Sequence, residues 1–159
     1  MRATTGAIEE VWINSDTHEP TYRVIGSVKP KGICGSGLIS LLSEAFITGL
    51  IDKAGNVNLS VKSSRVREGS HGGEYVVVWG SEADSGQDIV LTRIDIDNLL
   101  RAKAAIYAGF TVLAENVGIP LETVDKILIG GSFGKYINVE KAIQIGLLPD
   151  IDWSRFEFL

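Results

Sequence analysis

Lys126-Ile127-Leu128-Ile129-Gly130-Gly131-Ser132-Phe133-Gly134-Lys135-Tyr136-Ile137 is the stretch on which the reading of this chain turns. A short apolar run rich in β-branched residues stops at two glycines, a third glycine follows at Gly134, and a helical pattern opens at Asn138. A buried strand that runs into glycines brings bare backbone close to whatever lies at its end, since no Cβ stands in the way. In an open α/β sheet, ligands sit at the carboxyl ends of the strands. Two readings follow: a nucleotide-binding loop, or a tight strand-to-helix turn that holds no ligand.

Working outward, Ile8 to Ile13 and Tyr22 to Val28 read as strands, joined by the turn residues Asn14 to Pro20. Leu38, Leu41, Leu42, Ala45 and Phe46 recur at the helical period, and Gly49 supplies a stop. Ser60 to Gly73 has little periodicity and reads as an exposed loop. Tyr75 to Trp79 and Ile89 to Thr92 form a second hairpin around the polar tip Gly80 to Gln87. The longest helix follows, capped by Asp95 or Asp97, with Ile96, Leu99, Leu100, Tyr107, Phe110, Leu113 and Val117 as its apolar stripe and Gly118 and Pro120 as its end. Val124 to Ile129 is the strand that feeds the glycine loop, and Asn138 caps a short helix that Gly146 closes. The tail, with Trp153, Phe156 and Phe158, is apolar enough to need a packing partner. Antiparallel hairpins mixed with βα units place the chain in the α/β class, as a mixed sheet with helices packed on it in the ribonuclease-H-like pattern.

The 159 residues suffice for a single domain (1–159) with a real core. An apolar fraction of 45% and a charged fraction of 22% are those of an ordinary globular protein. A net charge of −5 argues against a nucleic-acid surface, and no apolar span suffices to cross a bilayer. The first residues show no signal-peptide core. Cys34 is the one cysteine, so the chain forms no internal disulfide and cannot supply the four ligands of an iron–sulfur cluster. A reducing, cytoplasmic setting is the simplest reading. His18 and His71 are far apart in sequence, and no metal site is assigned.

Gly32-Ile33-Cys34-Gly35-Ser36-Gly37 precedes the first helix. Free amides at a helix start attract phosphate, and Gly35 and Gly37 would let one approach. The alternative is that these glycines let strand and helix pack closely. The spacing matches neither a Walker loop nor the dinucleotide fingerprint, whose third glycine is replaced by Ser40. Cys34 reads as a small packing residue. Lys103 stands among alanines in Arg101-Ala102-Lys103-Ala104-Ala105, where it either reaches ribose or phosphate or lies on a solvated face. Asp95 and Asp97 form a carboxylate pair in sequence, but capping accounts for one of them, and no catalytic residue is assigned.

Four stretches, in order, carry a resemblance: Gly32 to Ile39, Asp95 to Ile106, Gly130 to Ile137 and Ile145-Gly146-Leu147-Leu148-Pro149. They resemble the reductive activators of corrinoid proteins, ATP-dependent enzymes of the acetate and sugar kinase, heat-shock chaperone and actin superfamily. The resemblance implies a larger machine, with an N-terminal [2Fe–2S] domain and a two-lobed ATPase domain, that returns corrinoid cobalt(II) to cobalt(I) for methyl transfer. It implies ATP with Mg2+ as cofactors and a corrinoid protein as partner. Gly130, Gly131, Ser132, Phe133 and Gly134 would contact adenosine, and Arg101 and Lys103 would lie beside the adenine and ribose. This chain would then be much of the second lobe, with the iron–sulfur domain, the first lobe and its magnesium-binding carboxylate absent. Two further readings stand beside it. One is a docking module for a corrinoid protein that uses no nucleotide, through Ser60 to Gly73 and Gly80 to Gln87. The other is a lobe of a related dehydratase activator or small-acid kinase.

Overall fold

The computed structural model describes residues 1–131 and 137–159. β1 (Ala7–Ile13) and β2 (Pro20–Val24) form the expected antiparallel hairpin, and β3 (Gly32–Ile33) joins the other side of β1 in parallel. α1 (Gly35–Ile47) then lies across β1 and buries Ile39, Leu41, Leu42 and Ala45 with Ile8, Val11 and Ile13. It starts before the apolar periodicity does, so Gly35, Ser36 and Gly37 belong to its first turn rather than to a loop ahead of it. Gly49 takes the left-handed conformation (φ 71°) just past its end, a position that favours glycine.

Beyond β3, no described strand extends the sheet along β1. Side chains of α1 take its place: the Val11 amide donates to Ser40 Oγ at 3.0 Å, Ser40 Oγ donates to the Val11 carbonyl at 2.7 Å, and the Ile13 amide donates to Glu44 Oε2 at 2.9 Å.

The stretch read as an exposed loop contains β4 (Val66–Gly69), which pairs antiparallel with β5 (Gly72–Val78); β5 pairs in turn with β6 (Ile89–Leu91). Apolar alternation does not mark β4, because cross-strand ion pairs hold it: Arg67 reaches Glu74 at 2.7 Å and Asp88 at 2.9 Å. Tyr75 to Val78 are fully buried. Arg65 ties this sheet to the first hairpin. It is buried, donates to the carbonyls of Val76 and Val77 and to Glu19 Oε2, and lies over the Trp79 ring.

α2 (Arg93–Val117) ends at Gly118 in the left-handed conformation, as expected. Its N-cap is Thr92, not Asp95 or Asp97; Asp95 is the third helical residue and completes a capping box. Ile96 is the one buried residue of the helix, with Leu99, Leu100 and Phe110 packed at the core's margin. Tyr107, Leu113 and Val117 stay exposed, so only part of the apolar stripe is used.

β7 (Ile127–Ile129), α3 (Val139–Gln144) and β8 (Phe156–Phe158) complete the described chain. The aromatic tail forms β8 and runs parallel to β7, with Phe156 opposite Ile127 and buried. Asn138 caps α3 by accepting from the Lys141 amide, and Gly146 (φ 68°) follows it in the left-handed region. The class is α/β with helices packed on sheets, but the strands are shared among three small sheets rather than gathered into one. Among the described residues, no helix is long and apolar enough to cross a membrane.

Candidate functional site

At the end of β7 the backbone is bare. An ideal Cβ built on Gly130 or on Gly131 meets none of the described residues within 4 Å. Gly131 has φ 87°, which favours glycine whatever surrounds it. Gly130 has no such positive φ and no crowding neighbour among the described residues. A glycine so placed at a strand end leaves main chain open to close approach. Ser132, Phe133 and Gly134 lie outside the described residues.

Lys103 lies between two hollows. One, open and of about 520 Å³, is lined by Lys103, Ala104, Tyr107 and Ala108 of α2 and by Ile143, Gly146, Leu148 and Asp150. That volume falls among those of small-molecule clefts, roughly 300–1,000 Å³. The other is a narrower cavity of about 160 Å³ between α1, α2 and the start of the Asp52 turn, with Gln144 and Ile145 on its wall. The Lys103 stem lies over Gly146, where a Cβ would stand 3.4 Å from Cε. The small residues Ala104 and Ala108 leave the space beside the lysine free. Arg101 is exposed and is not among the residues lining either hollow. At 100° per residue the two side chains leave α2 about 160° apart, so the structure does not bring Arg101 to the hollows beside Lys103.

The Gly35, Ser36 and Gly37 turn is closed in. Ser36 and Gly37 are buried, and a Cβ on Gly37 would stand 2.2 Å from the carbonyl oxygen of Ile8. Close strand-to-helix packing therefore accounts for Gly37. Cys34 is buried, and its thiol donates to the Ile8 carbonyl and shares a hydrogen with Ser36 Oγ. Asp95 is engaged with Thr92, and Asp97 pairs with Arg93 at 2.9 Å, so the two do not act as a carboxylate pair.

Sequence reasoning missed a buried polar cluster beneath α3. Lys141 is 6% exposed, and its ammonium donates to the Val11 carbonyl at 2.7 Å and to Ser40 Oγ at 2.9 Å, with Glu44 Oε1 at 3.1 Å. The Trp12 ring centroid lies 5.0 Å from the same nitrogen. Asn138 reaches Glu10, and Ser43 donates to Gln144 at 2.6 Å. The available signal was on α1: Ser36, Ser40 and Glu44 are spaced along a helix otherwise rich in buried apolar residues, and buried polar groups require partners.

Among the described residues, no group of three or more His, Cys, Asp or Glu side chains stands close enough to hold a metal ion. One buried cysteine does not fit an iron–sulfur cluster. The hollow, with a lysine at its edge, has the size and mixed lining that suit a small ligand with an apolar body and an anionic end, and Gly130 and Gly131 are not among the residues that line it.

The family model described as the C-terminal domain of RACo, the ASKHA domain, matches residues 1–159. The corrinoid activation enzyme RamQ of Eubacterium limosum is 40% identical across 96% of this chain and 26% of its own length. A solved structure titled reductive activator for corrinoid,iron-sulfur protein superposes with a TM-score of 0.95 and 47% identity, over 99% of this chain and 25% of that one. The chain thus spans about a quarter of the length of these relatives.

Proposed function

The chain belongs to the family of C-terminal ASKHA domains of corrinoid reductive activators, and from that premise we propose that it is the nucleotide-holding part of an ATP-dependent activator that returns corrinoid cobalt(II) to cobalt(I). On this reading residues 1–159 form a single unit, part of the second lobe of an actin-like ATPase domain, and act in the cytoplasm on a corrinoid protein. The observation that carries the reading is Gly130, a glycine at the end of a strand that neither its backbone conformation nor any described neighbour demands.

Gly130 and Gly131 would let the ligand lie against main chain, and the hollow beside Ala104 and Ala108 would take its apolar body. Lys103 would hold an oxygen of the ribose or phosphates as a mobile charged donor. Bound ATP supplies, on hydrolysis, free energy for an otherwise uphill electron transfer. One cysteine cannot carry an iron–sulfur cluster, so on this reading the reducing group belongs to another part of the activator.

Isothermal titration of the chain with Mg-ATP tests this. Binding is expected to be weak, and Gly130→Ala to weaken it further with the melting temperature unchanged, since the added methyl meets no neighbour. Equal ATP binding by Gly130→Ala and the parent would overturn the reading. Absent ATP binding, with a corrinoid protein bound regardless, would favour a docking module instead.

A further inference from the structure

α3 has two sides with different tasks. One side carries Asn138, Lys141 and Gln144, each bonded to β1 or α1. From the other side, and the turn after it, Ile143, Gly146 and Leu148 line the open hollow that Lys103 faces. A helix of six residues is too short to hold its shape unaided, so its place is set by what it is fastened to. The fastening is ionic and buried. Lys141 donates to the Val11 carbonyl and Ser40 Oγ and pairs with the Glu44 carboxylate, while Glu44 also accepts from the Ile13 amide. An apolar pair of similar volume would commonly stabilise such a site as well or better, so stability alone does not explain a charged one. Directed N–H bonds fix a position, which apolar contact does not.

We infer that Lys141, through Val11, Ser40 and Glu44, is a positioning residue for nucleotide binding: it fixes α3 against β1 and α1, and thereby the hollow's wall. This inference rests on the nucleotide reading above. Lys141 does not touch the hollow; it acts through α3.

Hydrogen–deuterium exchange on the 159-residue chain, with and without Mg-ATP, tests it in the parent, Lys141→Met, Glu44→Gln and the double variant Lys141→Met/Glu44→Gln, which keeps the acceptor of the Ile13 amide. In Lys141→Met the amides of α3 are expected to exchange faster while those of β5 keep the parent rate, and the ATP concentration that protects Gly130 and Gly131 rises about tenfold, the size expected of a residue acting through a network. Glu44→Gln keeps the carbonyl that serves Ile13 and is the milder lesion should Lys141→Met fold poorly; it is expected to shift α3 exchange in the same direction. The double variant removes both charges and is expected to recover the melting temperature without the ATP response. Recovery of that response together with the melting temperature would reduce the cluster to a stabilising one and overturn the inference. So would parent-like α3 exchange in both single variants. A parent chain indifferent to ATP, with α3 still loosened in the variants, would reject the nucleotide reading and retain the fastening of the wall.

Discussion

Gly37 of α1 faces the carbonyl oxygen of Ile8 on β1 so closely that a methyl group there would stand 2.2 Å from it. That oxygen also accepts from the Cys34 amide and thiol, so it cannot simply swing aside. Gly37→Ala is therefore expected to cost about 2–3 kcal/mol of stability, the upper part of the usual range for overpacking. Urea unfolding followed by circular dichroism would measure it. A midpoint equal to the parent's would show that the glycine serves something other than packing.

Lys103 and Arg101 make a matched pair of controls. Lys103→Ala removes the charged donor beside the open hollow and is expected to weaken ATP binding about tenfold, as for one charge-assisted hydrogen bond. Arg101→Ala, on another side of α2, is expected to leave affinity within about twofold. Titration of both variants under one salt condition decides it, and the reverse order of effects would relocate the ligand.

Thr92 and Asp95 form a reciprocal cap. Thr92 donates from its amide (3.0 Å) and its hydroxyl (2.6 Å) to Asp95 Oδ2, and the Asp95 amide returns a bond to Thr92 Oγ1 at 3.3 Å. Thr92→Ala should lower stability by about 1 kcal/mol. Asp95→Asn, which keeps an acceptor, should lower it less, and thermal melts of the two variants would rank them. A larger loss from Asp95→Asn would mean that its charge matters beyond the cap.

Asp88 gives the acid limb of stability. The Gly80 amide at 2.7 Å, and then Arg67 at 2.9 Å, hold its carboxyl below the ordinary aspartate value. A folded pKa below the unfolded one (about 3.9) means that the contribution is present above that unfolded value and is lost as pH falls through the folded one. Asp88→Asn should thus be less stable than the parent at pH 6, with the gap closing as pH falls below about 4. Urea midpoints at four or five pH values would trace the closure; a constant gap would assign the loss to geometry rather than charge.

The local signals in the sequence were dependable where a residue's own conformational preference decides. Gly49, Gly118 and Gly146 stop their helices in the left-handed region, and Asn138 caps α3. The Gly130-Gly131 break was legible for the same reason, and its Cβ space proved open. What escaped depends on partners far along the chain. β4 is held by Arg67 reaching Glu74 and Asp88, and nothing in Val66 to Gly69 itself announces a strand. β8 exists because β7 lies beside it, which recast the aromatic tail as sheet. Lys141 reads as a solvated helix residue beside Glu140, yet its partners Val11, Ser40 and Glu44 lie about a hundred residues or more away. The cap lies three residues before Asp95, at Thr92, since a capping box looks from sequence like a choice between neighbouring carboxylates.

The margin of β1 that Ser40 and Glu44 occupy has one more effect. Exposed strand margins are where separate molecules knit together and precipitate, because unclaimed amides and carbonyls accept any extended chain that drifts past. Here the Val11 amide and carbonyl and the Ile13 amide are already claimed by side chains of their own molecule. Those three groups form a hem along the first sheet that is closed to a passing strand.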